Sequence, residues 1–208
     1  MPEPRRNSQR DLAVRLIRRD GMMRLSELMR HGVNSATLSR LVAEGLIRRP
    51  ARGLYELADA DVAAAHAFAT VAKRVPRGAI CLISALQFHG LTLQVPRQVW
   101  LAIGSKDRKP AIDYPPVRTF HFGEKALTLG VESHTIDAVP VPIFDPAKSI
   151  VDCFRFRNAV GLDVALEALR LGWRSRKARP DDLATYARAL RVWSVLRPYL
   201  ESVVADDG

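Results

Sequence analysis

The residues best suited to chemistry in this 208-residue chain lie in one short segment near its start. Between Ser35 and Glu44, a turn of about 100° per residue puts Leu38, Leu41 and Val42 on one side. The segment therefore reads as a helix that packs down through them. Ala36, Arg40 and Ala43 fall opposite, flanked by Thr37 and Ser39. Those types suit the major groove of DNA. Alanines let a backbone come close and touch a thymine methyl, hydroxyls bond base edges or phosphates, and an arginine fork reaches guanine O6 and N7. With Asn34 and Ser35 at the helix start, Ala36, Thr37, Ser39 and Arg40 form the candidate DNA-contacting set. Alone, such a face reads first as an ordinary solvated one. The hairpin that follows decides between the two readings.

Other constellations carry less. Gly104-Ser105 after a strand is similar to the opening of nucleotidyltransferases, but the closely spaced carboxylate pair that such enzymes need is missing; Asp107 and Asp113 stand alone among Lys106, Arg108 and Lys109. A nucleotide-binding or nucleotidyltransferase-like catalytic regulator is kept as the alternative function. Ser84 and His89, five residues apart on a helix, do not face each other and have no evident third member. The five histidines lack metal-site spacing, so neither a metal nor any cofactor is expected. Asp145, Lys148 and Asp152, at i, i+3 and i+7, share a helical face and read first as a helix start with an ion pair. Arg174, Arg176, Lys177 and Arg179 form a basic run, either a solvated loop or a second surface that touches phosphates.

Three helices and a hairpin must position the first set. Asn7 or Ser8 can cap a helix with Leu12, Ala13, Leu16 and Ile17 inward, which Gly21 ends. A short helix, about Leu25 to His31, turns Leu28 and Met29 inward and stops at Gly32. Asn34 then caps the third helix, and Val33 and Leu38 have the spacing of a hydrophobic staple. Two helices joined by so short a turn have the form of a helix-turn-helix. Leu46 to Arg49 reads as a strand, Pro50 to Gly53 as a turn, and Leu54 to Leu57 as the return strand. That hairpin is a wing presenting Arg48, Arg49 and Arg52. The predicted first domain, residues 1–57, is thus a winged helix-turn-helix. It holds twelve basic residues against six acids, a net of +6 of the chain's +10. Such a balance favours nucleic acid as the partner.

Residues 58–208 read as a mixed α+β domain, which makes the chain α+β in class. Asp59 and Asp61 open a long helix to about Arg74, and Ile80 to Phe88 is a second helical stretch. Strands are expected over Gln98–Ile103, Val117–Phe122 and Glu132–Val139, with prolines 110, 115, 116, 140 and 142 marking loops and edges. Helices follow from Pro146, over about Leu162–Leu171, and from Pro180 to Val204 with a kink near Pro198. No apolar run approaches the ~20 residues of a spanning helix. The polar start lacks a signal peptide's apolar core. Cys81 and Cys153 read as buried reduced thiols, so the expected location is the cytoplasm.

The ending Arg52-Gly53-Leu54-Tyr55 of the first unit resembles the winged helix of AbiEi-type antitoxins. The stretches Ser84–Thr92 and Phe144–Phe154 continue the resemblance, as do Arg191-Val192-Trp193 and Arg197-Pro198-Tyr199, so it spans nearly the whole chain. It implies a bacterial type IV toxin–antitoxin antitoxin: a repressor of its own operon, bound to an operator of inverted repeats and associated with the nucleoid. It further implies antagonism of a nucleotidyltransferase toxin without a stable complex. Under that resemblance Asp145, Lys148 and Asp152 become candidates for toxin neutralisation.

Overall fold

The computed structural model describes residues 9–20, 23–49, 53–58 and 60–206. The chain divides into two compact units, Met1–Ala64 and Ala65–Gly208. The expected caps Asn7, Ser8 and Gly21, the turn residues Pro50 to Arg52, and Asp59 lie outside the described residues.

The first unit runs α1 (Gln9–Asp20), β1 (Met23–Arg24), α2 (Leu25–Arg30), α3 (Ser35–Ala43), β2 (Ile47–Arg48) and β3 (Leu54–Leu57). The strands form an antiparallel sheet in the order β1-β3-β2, with Met23 opposite Tyr55 and Ile47 opposite Leu57. Ala13, Leu16, Ile17, Leu28, Val33, Leu38, Leu41, Ile47 and Tyr55 form one buried cluster. Gly32, at φ +87°, ends α2 in a Schellman arrangement: the Val33 amide donates to the Leu28 carbonyl and the Gly32 amide to that of Met29. Gly45 closes α3 in the same way.

Two inward assignments fail. Met29 is 55% exposed and Val42 38% exposed. A helix as short as α2 has one buried line, taken by Leu28 with Leu25 beside it, and Met29 lies about 100° beyond. Val42 stands on the shoulder of the Leu38–Leu41 line for the same reason.

The second unit is built on a five-stranded sheet ordered β6-β5-β4-β8-β7. Helix α4 (Ala60–Arg74) spans the boundary between the units and leads into β4 (Ala79–Ile80) and α5 (Leu82–Phe88). Next come β5 (Val99–Gly104), β6 (Val117–Phe122), α6 (Glu124–Thr128), β7 (Val131–Ile136) and β8 (Val139–Phe144). The pairs β5–β6 and β4–β8 are parallel; the others are antiparallel. The chain closes with α7 (Pro146–Arg155), α8 (Arg157–Val160), α9 (Leu162–Arg174), α10 (Pro180–Ala189) and α11 (Trp193–Asp206). From Ala147 to Phe154 every residue of α7 is buried. Gly172 of α9 lets that helix lie close to α7, because a Cβ there would stand 2.6 Å from Ile150 Cδ1.

Three expectations change here. The strand read over Glu132–Val139 is a hairpin, β7 and β8, turned at Asp137 and Ala138 with φ of 50° and 59°. Two left-handed residues between paired strands make a two-residue hairpin turn that normally uses Asn-Gly, so Asp-Ala gave no signal for it. Pro140 and Pro142 lie within β8, which meets β4 only at Ile143 and so leaves one side of the strand unladdered beside them. The last helical stretch breaks at Leu190–Val192, where Arg191 has φ 57°, and Pro198 sits inside α11.

Candidate nucleic-acid interface

Helix α3 starts on a capped end. Asn34 Oδ1 accepts the Thr37 amide at 2.7 Å, satisfying one of the free N–H groups of the first turn. Gln9 Oε1 of α1 accepts from both the Asn34 amide, at 3.3 Å, and Thr37 Oγ1, at 3.0 Å. Thr37 is therefore committed to an internal contact and only partly exposed. Gln9 is a positioning residue with no sequence signal, since it acts 25 and 28 residues away. Val33 and Leu38 are buried at the two ends of the staple.

The outward face is then Ser35, Ala36, Ser39, Arg40 and Ala43, all exposed. Beside the helix, Arg10 of α1 pairs with Glu44 at 3.3 Å.

The hairpin divides its arginines. Arg48 Nε donates to Glu56 Oε1 at 2.6 Å, and Glu56 is only 4% exposed. Arg48 thus neutralises a buried carboxylate first. Arg49 is exposed, and Arg52 lies outside the described residues.

In the second unit the basic run is exposed at Arg174, Arg176, Lys177 and Arg179. Lys177 Nζ donates to the His89 carbonyl at 2.6 Å, so it ties the loop to the end of α5. Asp145, Lys148 and Asp152 share α7 but not a role. Asp145 caps the helix, accepting the Lys148 amide at 2.7 Å on Oδ1 and the Tyr186 hydroxyl at 2.6 Å on Oδ2. Burial raises its pKa, and those two donors oppose the rise. Lys148 Nζ bonds Asp152 Oδ2, and both side chains are fully buried. The ammonium also sits over the Phe144 ring, 3.7 Å from its centroid. Burial lowers the Lys148 pKa and raises that of Asp152, each resisted by the other's charge. Neither side chain reaches the surface, so neither can touch a second molecule while this core is closed.

The remaining constellations come apart. The Ser84 hydroxyl accepts the Trp100 amide at 2.9 Å, whereas His89 Nε2 meets the Phe144 carbonyl at 2.8 Å. Burial lowers the His89 pKa. Asp107 accepts the Gly104 amide at 3.0 Å and closes its own turn. Among the described residues no group of three or more His, Cys, Asp or Glu side chains is placed to hold a metal ion. No described helix is long and apolar enough to cross a membrane.

The stretch from α1 to β3, with its exposed α3 face, is also where similarity to known proteins lies. Residues 11–58 match the family model of the AbiEi antitoxin transcriptional regulators. The AbiEi match begins two residues into α1 and ends one residue past β3, so it covers the cluster that supports α3. No curated protein matches the chain.

Proposed function

We propose that the first unit is a winged helix-turn-helix that reads duplex DNA through α3, and that the chain is a transcriptional repressor. The carrying observation is the α3 face itself: Ala36, Ser39, Arg40 and Ala43 stand in solvent on a helix capped at Asn34 and anchored by buried Leu38 and Leu41. A strand after α1 that pairs with the second hairpin strand gives the element order of a winged helix. The net charge of +6 on residues 1–57 supplies the attraction to phosphate. DNA contacts are assigned to Ser35, Ala36, Ser39, Arg40, Arg49 and Arg52. Asn34 and Thr37 act by setting the helix, and Arg48 contributes once its bond to Glu56 is shared. Arg174, Arg176 and Arg179 form a secondary phosphate-facing surface.

Similarity to AbiEi antitoxins supports the rest of the reading. The chain represses its own operon from inverted repeats in a bacterial cytoplasm, and it opposes a nucleotidyltransferase toxin without a stable complex. The second unit carries that opposition through its fold, not by direct contact of Lys148 or Asp152.

The test is binding of the full chain to the duplex upstream of its own gene and to a shuffled duplex of equal composition at about 0.15 M salt. The expected preference is about 1,000-fold or more, within the range of specific DNA binders. Equal affinity for both duplexes would reduce the unit to a non-specific binder.

A further inference from the structure

The second unit carries a cleft of 280 Å³ between the start of α6 and the turn from α10 to α11. Three cations from separate elements line it: Lys125 of α6, Arg155 at the end of α7, and Arg191 of the turn. One acid, Glu124, shares the lining, so the cleft keeps a net positive charge. Among the described residues the Lys125 and Arg191 side chains have no hydrogen bond or ion pair. A cleft lined by one sign of charge draws anions toward it.

Arg155 is held in place before any ligand arrives. Its guanidinium carbon lies 5.4 Å from the Phe122 ring centroid and 5.1 Å from that of Phe156. Its Nη1 stands 3.7 Å from Asp152 Oδ1, and both atoms are buried without a hydrogen bond. Asp152 is fixed in turn by Lys148. The buried pair of α7 is therefore the back wall of an arginine that faces the cleft. A guanidinium carries five donors in a fixed fork suited to phosphate. Arg191 is the left-handed residue that closes α10, as Arg176 closes α9. It holds φ 57°, a left-handed conformation that costs a branched or long side chain energy and that glycine adopts freely.

We propose that this cleft binds a phosphate monoester of a small molecule, the phosphate held by Arg155, Arg191 and Lys125. Three cations from three separate elements suit a phosphate dianion better than a singly charged carboxylate. The cleft has room for the phosphate and a sugar-sized group beyond it. The inference does not depend on the DNA reading, because all its residues lie in the second unit.

Calorimetric titration of the full chain tests it, with inorganic phosphate, adenosine monophosphate and adenosine as probes. A 5′-phosphorylated trinucleotide and its 5′-hydroxyl form separate a free metabolite from a strand end. Adenosine monophosphate and phosphate should bind, and adenosine should not. Arg191→Gly removes a charge while relaxing the backbone, so it should fold well and weaken the monophosphate about tenfold, the loss of one charge-assisted bond. Lys125→Ala, at an exposed position, should weaken it in the same direction. Tighter binding of adenosine monophosphate than of the phosphorylated trinucleotide supports a free small molecule; the reverse order overturns that source. Unchanged affinity in both variants, or adenosine binding as tightly as its monophosphate, overturns the site itself.

Discussion

Lys148→Met is expected to destabilise the second unit by about 3–5 kcal/mol, the cost of removing one partner from a buried ion pair. Asp152 would be left fully buried, with Oδ1 already lacking a hydrogen bond and Arg155 no closer than 3.7 Å. The pair is not expected to be worth that much against an apolar core. The double variant Lys148→Met with Asp152→Leu should regain most of the loss, because apolar groups of similar volume replace two desolvated charges. The pH dependence has a definite sign. Burial raises the Asp152 pKa in the folded state, and without Lys148 only the Arg155 guanidinium, 3.7 Å away at i+3, still opposes that rise. A group whose folded pKa is raised lends stability below its unfolded pKa and loses it as pH rises through the folded value. The single variant should therefore be least destabilised in acid and most destabilised at neutral pH. Urea unfolding followed by circular dichroism at about pH 5 and pH 7.5 checks both points. A loss under about 1 kcal/mol at neutral pH would show that α7 tolerates an unpaired carboxylate.

Much of the first unit was legible because its signals are local. The Asn34 cap, the Val33–Leu38 staple and the glycines after α2 and α3 each act within six residues, and α3 appears where those signals put it. The strands β5 and β6 were equally plain, since an apolar run and an alternating one, each bounded by turn residues, need no partner to be read. What escaped depends on distance. Strand β1 has two residues and exists only through its pairing with β3. Strand β4 is likewise two residues, held between β5 and β8. Gln9 holds Asn34, Lys177 holds His89, and Lys125, Arg155 and Arg191 meet across 66 positions of chain. Arg48 looked like a free wing cation because Glu56 sits eight residues on, across a hairpin whose register fixes the pair.

That pairing shapes the second large effect. Replacing Arg49 and Arg52 together with Ala should lower the slope of log affinity against log salt by about 1.8, close to 0.9 for each phosphate left without its arginine. At about 0.1 M salt the same change is roughly 60-fold in affinity, the slope difference carried over one decade from 1 M. It should be nearly equal on operator and shuffled duplexes, because phosphates carry no sequence. Arg48→Ala should behave differently. Its first consequence is a buried Glu56 without its 2.6 Å partner, so it should lower the melting temperature of the first unit before it changes the salt slope. Fluorescence anisotropy at four salt concentrations, with melting curves for each variant, separates the two roles. An unchanged slope in the double variant would take the wing away from the DNA.

The most direct test of the central claim is Arg40→Ala, measured on the upstream duplex and on the shuffled one. Arg40 is exposed in the middle of the outward face of α3, opposite buried Leu38 and Leu41, so its loss should leave the fold intact. If α3 reads bases, affinity for the upstream duplex falls by about 1–3 kcal/mol, affinity for the shuffled duplex changes far less, and one base position relaxes. Equal losses on the two duplexes would show that Arg40 touches only phosphate, and no loss on either would place the DNA elsewhere than on α3.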